Sequence, residues 1–171
     1  MKKTILFVSH DLDEAAKLGN RIVIMEGGRI VQAGTVADIV MRPADSYVAE
    51  FVRHMNPLDA LKAETFMVAL PDLARDGDAL LFGPGLAVRL DPDGRPTEAR
   101  QGGAPLPIVP VAEAGDEAVA GRLVTVPEAL PLKAAIGLRQ RGAAGLVVVD
   151  AGGRMLGAAC EADLFRALLG R

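Results

Sequence analysis

The hydrophobic positions along the first third of the chain predict a buried strand, a hairpin and two helices. The run TILFVS at residues 4–9 is apolar without alternation, which is typical of a strand covered on both faces. RIVIM at 21–25 and GRIVQAG at 28–34 are separated by a glycine turn and predict an antiparallel hairpin. Apolar residues then recur at helical spacing in 35–41 and in 45–55, so a helix is expected in each segment.

Short polar residues mark where the first helices begin. Asp11 is an expected N-cap with Glu14 three residues later, a capping box in which each side chain accepts a bond from an unpaired amide of the first turn. Thr35 and Asp38 have the same spacing. Gly19 follows the first helix, at a position where glycine often ends a helix by adopting a positive φ.

The middle of the chain has a different texture. Eight of the eleven prolines lie between Pro84 and Pro131, and such a density excludes long helices because proline lacks the amide donor. Short strands, turns and loops are expected there, with LDPDGRP at 90–96 as the clearest turn. The weakest structure of the protein is predicted in this region.

The last fifty residues are regular again and predict a β-α-β-β-α order. Apolar runs at 122–126, 145–150 and 155–160 predict three strands, with helices expected at 131–141 and 161–170. The side chains expected on the core side of the last helix are Ala162, Phe165, Leu168 and Leu169.

Composition narrows the class of protein. The 171 residues are half apolar but only 4% aromatic, which favours an α/β (α+β) fold with an aliphatic core. The net charge of −3 comes from 19 basic and 22 acidic residues without long runs of one sign, which argues against a nucleic-acid surface. Cys160 is the single cysteine, and no apolar run approaches the roughly 18 residues of a membrane span. A soluble, cytoplasmic chain without a metal site is predicted.

His10 is the first candidate for chemistry. It follows the apolar run at 4–9 and precedes a capped helix, which places it at the edge of an α/β sheet where ligands usually bind. Its imidazole could donate a hydrogen bond to a terminal phosphate or help to place an attacking water. Alternatively, the histidine simply fills the turn between strand and helix.

Residues 4–52 resemble the C-terminal part of the ATPase subunit of an ATP-binding cassette (ABC) importer. Three elements carry the resemblance in order: Ser9-His10-Asp11 as the switch-histidine loop, the hairpin at 20–34, and the helix with PADSYVAEF at 43–51. HMNPLDAL at 54–61 and the long extension after it are most similar to the subgroup that imports glycine betaine, proline betaine or choline.

This resemblance implies that His10 acts on ATP with magnesium, but only in a longer chain. The family needs a G-x-x-x-x-G-K-[ST] phosphate loop, a signature motif and an acidic residue ending an upstream strand, and none of these occurs in the 171 residues. Asn20 also stands where the family commonly has aspartate. The chain is therefore expected to be a fragment or a truncated reading frame that is inactive as an ATPase by itself.

Residues 123–169 resemble a CBS (cystathionine-β-synthase) motif through VVVDAGGRMLG and the later acidic helix start. In CBS modules two motifs pack through their sheets and can hold an adenine nucleotide. The resemblance assigns Gly157, Cys160 and Asp163 to this site, with the aspartate on the ribose hydroxyls. Cys160 stands where the family has the serine or threonine that reaches phosphate, and Asp163 could instead be a helix N-terminal acid without any ligand.

Three segments are expected from these resemblances. Residues 1–57 are the end of the ATPase domain, 58–115 a linker with a degenerate first CBS-like motif, and 116–171 the second motif. AETFMVALPD at 63–72 resembles the opening of the first motif, but the usual helix between strands is missing after it. Because a lone motif exposes an apolar sheet face, pairing with a second chain in a homodimer is expected.

The leading functional hypothesis is a regulatory module on an importer ATPase. The resemblance implies permease subunits and a substrate-binding protein as partners, a location at the inner face of the plasma membrane, and coupling between a sensed signal and the ATPase dimer. Ionic strength and an adenine nucleotide such as cyclic di-AMP are the implied signals. The alternatives are a split ATPase, in which this chain supplies the switch histidine, and a dimerisation domain without a ligand.

Overall fold

A computed structural model describes residues 4–53, 57–113 and 119–169 and divides the chain after Ala60 into two compact units. We call residues 4–60 the N-terminal unit and residues 61–169 the C-terminal unit. Each unit has an apolar core of its own. The three segments predicted from the sequence stay a prediction, and the second boundary, at 115, lies outside the described residues.

The N-terminal unit packs short helices on one hairpin. Its elements are α1 (Leu12–Leu18), β1 (Ile22–Glu26), β2 (Arg29–Gly34), α2 (Val36–Met41), α3 (Ser46–Arg53) and α4 (Pro57–Ala60). Its core consists of Leu12, Ile22, Ile24, Ile39 and Val48. The predicted hairpin and both predicted helices are confirmed, and the turn between β1 and β2 uses Gly27 and Gly28, which both have positive φ. Met55, expected near the end of the second helix, lies outside the described residues.

The predicted capping box is confirmed at Thr35, whereas only one of its two bonds forms at Asp11. Thr35 and Asp38 form the full reciprocal box at the start of α2. Asp11 accepts a bond from the amide of Glu14 at 3.1 Å, but the Glu14 carboxylate accepts from the Ser9 hydroxyl instead of from the Asp11 amide. Gly19 ends α1 with φ −100°, so the predicted positive φ is wrong. A side chain is disfavoured there because its Cβ would lie 3.0 Å from the Ala15 carbonyl oxygen.

The predicted strand at residues 4–9 is also wrong. The segment has no strand pairing with any described residue. Ile5, Leu6 and Val8 are between 83% and 94% exposed. An apolar run becomes a strand only when neighbours satisfy its backbone and cover its faces, and the described residues supply neither.

The C-terminal unit contains two five-stranded sheets. Its helices are α5 (Ala63–Phe66), α6 (Leu132–Gln140) and α7 (Glu161–Leu169). Its strands are β3 (Val68–Ala69), β4 (Ala74–Asp76), β5 (Ala79–Phe82), β6 (Leu86–Leu90), β7 (Pro96–Gln101), β8 (Ala104–Leu106), β9 (Ile108–Pro110), β10 (Leu123–Pro127), β11 (Gly145–Val149) and β12 (Met155–Ala159). A mixed sheet has the order β3-β12-β11-β10-β9, and β4 to β8 form an antiparallel meander. The α/β class and the terminal β-α-β-β-α order are confirmed.

The proline-rich region is a regular sheet, so the prediction of weak structure there is wrong. Four strands of the meander lie between residues 79 and 106 and bury Leu80, Phe82, Leu86, Val88 and Ala99. The prolines fit because they avoid the positions where a central strand must donate an amide bond. Pro96 begins β7, while Pro105 lies in β8 and Pro110 in β9, each at the edge of its sheet.

Two hairpins of the C-terminal unit share one design. The turn 91–95 between β6 and β7 and the turn 150–154 between β11 and β12 both read Asp-x-x-Gly-Arg. In each turn, the aspartate amide donates to the arginine carbonyl at 2.9 Å, and the aspartate Oδ1 accepts from the arginine amide. The equivalent cross-strand pairs are Val88 with Ala99 and Val147 with Ala158, and both ladders shift register just before the turn. The region predicted as a degenerate motif therefore contains a counterpart of the later hairpin.

The two related hairpins face each other. Arg95 Nε donates to the Gly152 carbonyl at 3.0 Å, and the Met155 amide donates to the Gly94 carbonyl at 2.9 Å. Gly145 lies under the meander, since a Cβ there would be only 2.7 Å from Leu86 Cδ1. The meander therefore covers one face of the mixed sheet with apolar side chains.

Helices cover the opposite face, and α7 does so with a different set of residues than predicted. Asp163, Leu164 and Ala167 are the buried residues of α7, whereas the four residues expected in the core are not buried: Ala162, Phe165, Leu168 and Leu169. Because both faces of the mixed sheet are covered within one chain, the described residues do not contain the exposed sheet face from which a homodimer was predicted.

Candidate functional site

His10 lies on an exposed turn that a short chain of hydrogen bonds holds in place. The Asp11 amide donates to the Ser9 hydroxyl at 3.0 Å, and this hydroxyl donates to the Glu14 carboxylate at 2.6 Å. Together with the Asp11 cap, these bonds fix the backbone on both sides of His10, whose side chain is exposed. The turn therefore presents the imidazole to solvent at the start of α1, where a ligand could reach it.

Gly157, the first residue of the predicted nucleotide site, is closely covered. It lies in β12 opposite Ala69 of β3. A Cβ at this position would be 2.4 Å from the Val68 carbonyl oxygen and 2.8 Å from Met67 Sδ. Packing of β3 against β12 accounts for a glycine here without any ligand.

Asp163 is 5% exposed and uses its carboxylate within its own helix. Oδ2 accepts a buried bond from the Cys160 amide at 2.8 Å, and Oδ1 accepts from Arg166 Nη1 at 3.0 Å. These bonds cap the first turn of α7 and satisfy an amide that the helix itself leaves unpaired. The arrangement matches the helix N-terminal acid that the sequence offers as the alternative to ribose binding.

Cys160 joins the predicted site to a neighbouring surface cleft. Burial of the thiol, and next its hydrogen bond with the Asp163 carboxylate, raise the pKa of Cys160 above the ordinary 9.0. Gly83, with φ +53°, packs on it so closely that a Cβ there would be 2.8 Å from Cys160 Cβ. The thiol is therefore a small buried group and a poor nucleophile.

We expect iodoacetamide to alkylate Cys160 at pH 8 at least about tenfold more slowly in the folded chain than in urea. Stability should also fall as pH rises above 9.0, because the unfolded thiol then loses its proton while the folded thiol retains it. Mass spectrometry of the single-thiol chain measures the rate. Equal rates in the folded and unfolded chains would contradict the burial of this side chain.

The cleft has a volume of about 380 Å³ and opens to solvent where α6 ends and α7 begins. The residues that line it are Pro84, Gln101, Arg139, Ala144, Cys160, Glu161, Ala162 and Phe165. Of the predicted site residues, only Cys160 lies here. Spacing in the sequence does not reveal the others, because Gln101, Arg139 and Glu161 come from β7, α6 and α7, which only tertiary packing brings together.

Arg139 and Glu161 supply the charge of the cleft. Arg139 Nη1 donates to the Ala143 carbonyl, and Nη2 donates to Glu161 Oε2 at 3.3 Å. The buried Arg139 Nε has no hydrogen-bond partner. Among the described residues, no group of three potential metal ligands lies together, and no helix is long and apolar enough to cross a membrane.

The N-terminal unit contains the histidine turn with its hairpin, and the C-terminal unit contains the β-α-β-β-α module. Part of the chain is similar to ATP-binding subunits of ABC transporters for glycine betaine, choline and carnitine. It is 48% identical over 65 residues to the glycine betaine transport ATP-binding protein OpuAA of Bacillus subtilis, which covers 38% of this chain and 16% of the relative.

Two further relatives extend the comparison. The choline transport ATP-binding protein OpuBA of Bacillus subtilis is 58% identical over 52 residues, covering 30% of this chain and 14% of the relative. The glycine betaine/proline betaine transport ATP-binding protein ProV of Escherichia coli is 40% identical over 90 residues, covering 52% of this chain and 22% of the relative. The matches thus span at most about a fifth of the length of these relatives.

Family models and solved structures were also compared with the chain. No family model matches the chain. Among solved structures, the crystal structure of CBSX2 in complex with AMP aligns with a TM-score of 0.42 at 16% identity, covering 63% of this chain and 96% of that one.

Proposed function

We propose that this chain is the C-terminal portion of an ATP-binding subunit of an ABC importer for glycine betaine, L-proline or related osmoprotectants. In this proposal the C-terminal unit is a CBS-like regulatory domain that senses a cytoplasmic signal. The observation that carries the proposal is that residues 61–169 have a core of their own, distinct from that of the unit with the histidine turn. Homology to osmoprotectant transport subunits supports the choice of parent protein.

In the parent subunit, His10 would meet the terminal phosphate of ATP bound with magnesium. The Ser9–Glu14 bond and the Asp11 cap hold this turn in the present chain, so the histidine is positioned without the nucleotide. Because the 171 residues contain no G-x-x-x-x-G-K-[ST] loop, we expect the chain by itself neither to bind ATP tightly nor to hydrolyse it.

Phosphate release with ATP and magnesium tests this expectation on the purified chain. An intact homologous ATP-binding subunit is the positive control, and His10→Ala is the matched variant. We expect no release above background from either form of this chain. Turnover by the purified chain that disappears in His10→Ala would overturn the proposal.

The partners and location belong to the same proposal. The parent subunit would join membrane permease subunits and a substrate-binding protein, and would lie at the inner face of the plasma membrane. A homodimer is also proposed, although the sheet face first expected to form it is covered within the chain. Sedimentation equilibrium measures the oligomeric state: a dimer with no ligand dependence would favour the plain dimerisation domain over the sensor.

A further inference from the structure

The cleft beside Cys160 contains one half that suits a carboxylate. Arg139 is only partly exposed, its Nε is buried without a partner, and its Nη2 makes one long bond to Glu161. A guanidinium forms strong hydrogen bonds with a carboxylate, and the long bond from Nη2 to Glu161 leaves room for a better acceptor. A carboxylate in the cleft would accept from Nη2, whereas the buried Nε lies out of its reach.

The other half of the cleft suits an organic cation. Glu161 and Phe165 lie one turn apart on α7, so both side chains are on the same side of the helix. Phe165 is 54% exposed although it lines the cleft. A methylated ammonium group binds an aromatic face and an adjacent carboxylate favourably, while its methyl groups contact apolar walls. Pro84, Ala144 and Ala162 supply such walls.

We propose that this cleft binds a small zwitterion that carries a carboxylate and a quaternary ammonium group. The carboxylate bonds to Arg139, and the ammonium lies between Glu161 and Phe165. The ligand thereby inserts into the Arg139–Glu161 pair and replaces each charge with one of its own. One positive and one negative side chain match a ligand of zero net charge.

The same charges discriminate against other ligands. A nucleotide phosphate would lie close to the Glu161 carboxylate at the mouth of the cleft, and the two negative charges would repel each other. A simple cation such as choline would leave Arg139 without a new acceptor. The cleft therefore favours zwitterions over both adenine nucleotides and plain ammonium cations.

This inference rests on the proposed function and gives its sensor a chemical signal. Osmoprotectants such as glycine betaine belong to the class of ligand described, so the imported compound would report its own accumulation to the C-terminal unit. Because the charged groups at the cleft mouth are partly solvated, binding is expected to be weak, with a dissociation constant on the order of millimolar. Such an affinity suits a compound that accumulates to high concentration.

Titration of the ¹⁵N-labelled full chain with glycine betaine tests the proposal by NMR, with choline, AMP and sodium chloride titrated in parallel. We expect saturable shifts of the Glu161, Ala162 and Phe165 amides with glycine betaine only. Phe165→Ala should weaken binding about two- to fivefold, and Glu161→Gln should weaken it in the same direction. Leu169→Ala and Glu128→Gln, which change exposed residues outside the cleft, should leave the affinity unchanged.

Absence of saturable shifts with glycine betaine would overturn the proposal, as would equal binding of choline or AMP at the same amides. Unchanged affinity in both Phe165→Ala and Glu161→Gln would also overturn it. Because both variants alter exposed side chains, loss of folding does not confuse the result, and the spectrum of each variant reports its fold. A negative titration leaves the phosphate-release experiment untouched, so the failures of the two proposals are distinguishable.

Discussion

Gly157→Ala is expected to lower the free energy of unfolding of the C-terminal unit by about 3 kcal/mol, the upper part of the usual range for overpacking. The new methyl group would lie 2.4 Å from the Val68 carbonyl oxygen and 2.8 Å from Met67 Sδ. The carbonyl belongs to the backbone of β3, so it cannot move without disturbing the pairing of β3 with β12. Urea unfolding followed by circular dichroism measures the change.

Gly137→Ala is the matched control for this substitution. Gly137 lies inside α6, and a Cβ there would meet only the flexible end of Arg141 at 3.4 Å. Alanine in a helix interior is favoured over glycine by up to about 1 kcal/mol, so this variant should be as stable as the parent or slightly more stable. If Gly157→Ala were equally harmless, the close approach of β3 to β12 would be contradicted, and a ligand role would again be needed to explain Gly157.

Asp163→Ala should cost about 1–3 kcal/mol, because it leaves the buried Cys160 amide without an acceptor and removes the partner of Arg166. Asp163→Asn should cost less, since an amide oxygen can still accept the bond from the Cys160 amide. Thermal unfolding of the unsubstituted chain and of these two variants, each with and without AMP, measures both stability and nucleotide binding.

The same experiment decides between the two roles of Asp163. A ribose would have to reach a carboxylate that is only 5% exposed, so we expect no stabilisation by AMP in any of the three chains. A rise in melting temperature with AMP that is lost in Asp163→Ala would instead establish the nucleotide site predicted at Gly157, Cys160 and Asp163.

Local patterns predicted the elements whose interactions are themselves local. The hairpin β1–β2 depends on a two-glycine turn, and the start of α2 depends on Thr35 and Asp38 three residues apart. The terminal β-α-β-β-α order was likewise readable, because each apolar run has a length and a flanking turn typical of its type. In these cases the sequence neighbourhood contains most of the interaction that decides the structure.

Elements whose state depends on distant partners were predicted less well. The run at 4–9 has the composition of a buried strand, yet no described residue pairs with it. The meander was missed because prolines at strand starts and sheet edges resemble prolines in loops until the strand order is known. The repeat of Asp-x-x-Gly-Arg at 91–95 and 150–154 was the signal that could have revealed it.

The side of α7 that faces the sheet and the position of Phe165 in the cleft have the same cause. Apolar residues occur around most of α7, so spacing alone does not show which side faces the sheet. Asp163 decides it, because its carboxylate turns inward to the Cys160 amide and brings Leu164 and Ala167 to the core. Phe165 is thereby left in the cleft with Glu161, a position that hydrophobicity alone does not predict.

The most direct test of the regulatory account is the ATPase rate of an assembled transporter whose ATP-binding subunit contains this sequence. The rate is measured for the intact subunit and for a subunit that ends at Ala60, over a range of ionic strength and of glycine betaine concentration. We expect the shortened subunit still to hydrolyse ATP but no longer to respond to these signals. An unchanged response without residues 61–169 would contradict it.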